Sequence, residues 1–124
     1  MSKYLLVALL ALVAAAPAAA RPAMSKPVVV LSPTNGAVIN SSTVTLRLAT
    51  KGFKVTDQAT TIRAGEGHFH VYLDKRPFVA LYGLKFVFRG LKPGKHTLRV
   101  EPVNSGHMPA AGLKAIIVPF TLAA

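Results

Sequence analysis

Residues 67–74 read Gly-His-Phe-His-Val-Tyr-Leu-Asp. Side chains alternate across a β-strand, so Phe69, Val71 and Leu73 share one face and His68, His70 and Tyr72 the other. The apolar row faces a core, and the two imidazoles point outward with Tyr72 and Asp74 below them. A strand with one greasy face and one polar face belongs to an antiparallel sheet packed on one side. Glu66 joins the histidine face if the strand extends back that far.

The same period recurs on both sides of this segment. Ser42 to Thr50 (STVTLRLAT) turns Val44, Leu46 and Leu48 inward and Thr45 and Arg47 outward. Pro27 to Leu31, Leu84 to Arg89, His96 to Val103 and Ala115 to Leu122 are further strands, with a short one at Phe53 to Val55. Turn chemistry separates them: Asn35-Gly36, Lys75-Arg76-Pro77 and Lys92-Pro93-Gly94. Helical periodicity is absent from this region. About seven short strands at this spacing predict an all-β, immunoglobulin-like Greek-key sandwich.

The N-terminus reads differently. Lys3 precedes an uncharged apolar run from Tyr4 to Ala16, then Pro17 and Ala18-Ala19-Ala20. This is the layout of a cleavable signal peptide, residues 1–20, with small residues at the cleavage site. The 13-residue run falls short of the ~20 that a spanning helix needs. Arg21 then begins the mature chain, and residues 21–124 form one domain. Its expected location is the periplasm or the exterior of the cell. The chain has no cysteine, so no disulfide and no lipid-modified cysteine are available.

Charge narrows the partners. The sequence carries 15 Lys and Arg against four acids, a net charge of +11. Such a surface favours anionic envelope polymers or a membrane surface, and export argues against nucleic acid. The basic residues available are Lys51, Lys54, Arg63, Lys75, Arg76, Lys85, Arg89, Lys92, Lys95 and Arg99. No Ser lies in a nucleophile elbow and no Gly-rich loop resembles a phosphate cradle.

The histidines carry the chemistry. His68 and His70 lie about 7 Å apart along one strand face, a spacing at which two imidazoles converge on one ion. In an immunoglobulin-like topology the strand at His68 is C and the strand at His96 is F. C and F are antiparallel neighbours, and the loop after F lies beside the start of C. That brings His107 toward His68 and His70. Three imidazoles suit copper or zinc, with Glu66 or the Met108 thioether as a fourth ligand. His96 starts strand F at the opposite end, on the core side by parity, and is expected to hydrogen-bond the turn there.

Gly67 to Asp74, the run Gly-Leu-Lys-Pro-Gly-Lys-His-Thr-Leu at Gly90 to Leu98, and His107-Met108-Pro109 together resemble a group of small secreted bacterial domains of unknown function. Their pattern is G-H-x-H-x-x-x-D, P-G-x-H-x-L and H-x-P, with His96 inside it. The resemblance implies export and a β-sandwich and names no activity. In size and architecture the chain is also similar to periplasmic copper-resistance sandwiches. Those place a histidine at the mature N-terminus, where this chain has Arg21. The expected function is a small exported binding module that holds copper or zinc through surface histidines, without catalysis. The alternatives are a basic envelope-interaction or adhesion module and, third, a metalloenzyme at the same histidines.

Overall fold

Alternating strands close a core when their apolar rows face each other, and two sheets do so here. The computed structural model describes residues 26–56 and 61–123. The signal peptide read at 1–20 and the mature start at Arg21 lie outside the described residues. Nine strands run in order: β1 (Val28–Ser32), β2 (Ala37–Ile39), β3 (Val44–Thr50), β4 (Lys54–Val55), β5 (Glu66–Leu73), β6 (Val79–Leu81), β7 (Lys85–Phe88), β8 (Gly94–Val103) and β9 (Ile116–Leu122). No helix occurs among the described residues.

One sheet has the order β1-β3-β7. The other has the order β2-β9-β8-β5-β4, with β6 also paired to β5. Val44, Leu46, Leu48 and Phe88 from the small sheet are buried, as are Phe69, Val71, Leu73, Leu98, Val100, Val118, Phe120 and Leu122 from the large one. Each such side chain contributes about 1.5–3 kcal/mol by leaving water. In a chain without cysteine this core is the main source of stability. The fold is an immunoglobulin-like β-sandwich, as the alternation predicts.

The seven expected strands are all present, and β2 and β6 add two more. Each of those spans three residues, too short for alternation to show. β2 runs parallel to β9, and β6 returns antiparallel along β5. The second of these proves important for the histidines.

β5 and β8 form the spine of the large sheet, in register from His68↔Val103 to Leu73↔Leu98. Phe69, Val71 and Leu73 therefore share the core face with Pro102, Val100 and Leu98. His68, His70 and Tyr72 share the outer face with Val103, Glu101 and Arg99. Gly67 permits the approach of the two strands at the histidine end: a Cβ there would sit 1.8 Å from the Val103 carbonyl oxygen. No other residue fits without moving backbone.

Candidate metal centre

His68 and His70 lie on the outer face of β5, but they are not surface residues. Their exposures are 2% and 5%. The expectation of outward-pointing, surface imidazoles is corrected here, and β6 supplies the reason. Its register sets Ala80 opposite His70, so Phe78 and Tyr82 fall on the same outer face two residues either side. Tyr82 stacks on His68 with ring centroids 4.4 Å apart, and Phe78 stacks on His70 at 4.1 Å. The small Ala80 leaves the gap between these two aromatic walls.

The third imidazole comes from the loop after β8. Asn104 Oδ1 accepts the N–H groups of Gly106 at 2.8 Å and Met108 at 3.2 Å. The Asn104 N–H donates to the Met108 carbonyl, and the His107 N–H donates to the Asn104 carbonyl. Pro109 then bridges back to Val103. This tight loop holds His107 at φ 63°, a left-handed conformation uncommon for residues other than glycine. It aims the ring at β5. His107 Nδ1 lies 3.2 Å from His68 Nε2 and 3.2 Å from His70 Nε2. All three nitrogens fall within 4.8 Å of one another.

Hydrogen bonding does not account for this convergence. A neutral imidazole nitrogen carries one proton or one lone pair, so His107 Nδ1 can serve only one of its two neighbours at a time. A cation between the rings accepts a lone pair from each. Separations of 3.2 Å also suit two ligands bound at about 2.0–2.1 Å to one zinc-like ion. The electrostatics agree. Burial, with the neighbouring His70 and His107, lowers the His68 pKa to about 4. Burial and His107 also lower that of His70, partly offset by Glu101. Both rings are therefore neutral near pH 7, the form that ligates.

Glu66 begins β5 but is not one of the converging group. It lines a cleft of about 440 Å³ with Phe53, Ile62, Arg63 and Asn104. Met108 is 62% exposed, and its backbone groups tie the loop. Sequence reasoning missed Phe78, Tyr82 and Glu101. The spacing of Phe78, Ala80 and Tyr82 is the signal for the first two, but it acquires meaning only once β6 is paired. All ten basic residues singled out above are exposed.

His96 lies at the other end of the spine, as the antiparallel order of the two strands requires. Its Nδ1 is 2.7 Å from Asp74 Oδ2 and its Nε2 is 2.7 Å from the Lys92 carbonyl in the turn before β8. The ring stacks on Phe120. Asp74 does not sit below the outer-face histidines. β5 ends at Leu73, and φ 53° at Asp74 swings its carboxylate to β8, where Oδ1 accepts the Thr97 N–H at 2.8 Å.

The sandwich has a counterpart among solved structures. It is similar to one of the fibronectin(III)-like modules of Clostridium thermocellum CbhA, with a TM-score of 0.52 and 10% identity over 77% of this chain and 94% of that one. At that identity the likeness is one of fold. No family model matches the sequence, and no curated protein does.

Proposed function

We propose that this protein is an exported binding module that captures or delivers one transition-metal ion, copper or zinc, without catalysing a reaction. His68, His70 and His107 are the ligands. One observation carries the reading: a single imidazole nitrogen on a constrained loop lies 3.2 Å from two others, on rings that burial keeps neutral. Export rests on the N-terminal sequence pattern.

Calorimetric titration of untagged protein with Zn(II) and Cu(II) tests it. One ion should bind per chain. His70→Ala and His107→Ala should each lower affinity by more than about a hundredfold, beyond the 10–100-fold that loss of an outer partner costs. His96→Ala should leave affinity unchanged. Absence of binding, or equal binding by all three variants, would overturn the proposal.

A further inference from the structure

His70 has a carboxylate directly across the sheet. Glu101 is its partner in the β5–β8 register, and opposed residues on one face hold their Cβ atoms about 4.5–5.5 Å apart. The Glu101 side chain is only 19% exposed. Its ionic partner is Arg99, 3.5 Å away and itself 45% exposed. Arg99 also rests on the Tyr72 ring, 4.2 Å from its centroid. The guanidinium thus has a second attachment when the carboxylate leaves.

Charge balance gives that carboxylate a task. Three neutral imidazoles do nothing to offset the double charge of a divalent ion, and two of these rings are almost fully buried. A buried charge needs a counter-charge. Among the described acids, Asp74 is engaged by His96 at the far end, and Glu66 lines a separate cleft. Glu101 alone stands opposite one of the three histidines; its carboxylate, turned to Arg99, lies outside the converging group and must swing across to join it. A hard carboxylate oxygen strengthens a site for Zn(II) or Cu(II) but adds little for monovalent copper, which favours softer donors.

We propose that Glu101 is the fourth, anionic ligand of this site, released from Arg99 as the ion enters, and that it selects divalent over monovalent metal. The inference rests on the three-histidine reading above. Its test uses wild type, Glu101→Gln and Arg99→Gln, with Zn(II) measured by chelator competition and Cu(I) by competition under reducing conditions. Glu101→Gln should weaken Zn(II) by about 10–100-fold and change Cu(I) by less than about threefold. Arg99→Gln should strengthen Zn(II), because it removes the competitor for the carboxylate. With Co(II) as probe, Glu101→Gln should shift the visible spectrum and Arg99→Gln should not. If both variants weaken Zn(II) alike, the ion pair is structural and the proposal fails. It also fails if Glu101→Gln binds Zn(II) as wild type does, with the three-histidine site intact. A wild type that binds neither metal would instead remove the histidine site itself.

Discussion

At one end of the β5–β8 pair, His68 and His70 face a third imidazole, and burial drives their pKa values down. At the other end, His96 faces the Lys92 carbonyl and the Asp74 carboxylate, and these two hydrogen bonds drive its pKa up. His68 and His70 are buried, whereas His96 is only partly so. Burial leads at the first end and hydrogen-bond partners lead at the second. Both nitrogens of His96 meet acceptors, an arrangement that favours the doubly protonated ring and so raises its pKa. The rings at the first end meet one another. One end favours a protonated ring, and the other brings together three rings that could hold a metal ion.

The largest expected effect comes from breaking the first end alone. Gly67→Ala places a methyl group against the Val103 carbonyl and should cost about 3 kcal/mol or more by denaturant unfolding. Amide exchange should accelerate at residues 68–70 and 101–103 while the Leu73–Leu98 end stays protected. Uniform acceleration would show that the two ends do not open separately.

The acid response sharpens the contrast. His68 titrates near 6.5 when unfolded and about 4 when folded, so the unfolded chain takes up its proton first as pH falls. In metal-free protein the associated stability is complete above about pH 6.5. It should be lost between there and about pH 4, on the order of 3 kcal/mol. Urea unfolding at about pH 7 and pH 4.5, with His68→Leu as the variant that flattens the difference, measures it. A wild type equally stable at both would mean that the folded rings accept protons freely.

His96 should show the opposite sign and a smaller size. Its folded pKa lies above the unfolded value. Its contribution is therefore complete below about pH 6.5 and lost as pH rises through the raised value. His96→Gln should cost about 2 kcal/mol at about pH 5.5, the range for hydrogen bonds to a charged group, and less at about pH 9. A cost that does not change with pH would make His96 a packing residue and remove the contrast.

Much of this is legible in the amino-acid order. Alternation locates the long strands, and the adjacency of C and F brings His107 to His68 and His70 across a long stretch of chain. The antiparallel strand order also places His96 at the far turn, and parity sets its face. Two things are hidden, for different reasons. The burial of His68 and His70 depends on β6, whose three residues carry no period of their own. Asp74 continues the alternation on paper, but the strand stops one residue earlier and a left-handed φ redirects the carboxylate. Parity holds only within a strand, and side-chain burial depends on whatever chain returns across it.

The separation of the clustered histidines along the chain has a consequence for a protein without cysteine. His70 and His107 are 37 residues apart. An ion held between them would act as a removable staple, closing a covalently open loop much as a disulfide does. By the chain-entropy relation a closure of that length is worth roughly 4 kcal/mol, drawn from the freedom of the unfolded chain. The bound form would then tolerate heat and proteases that the empty form does not, so the protein's survival would report on metal supply.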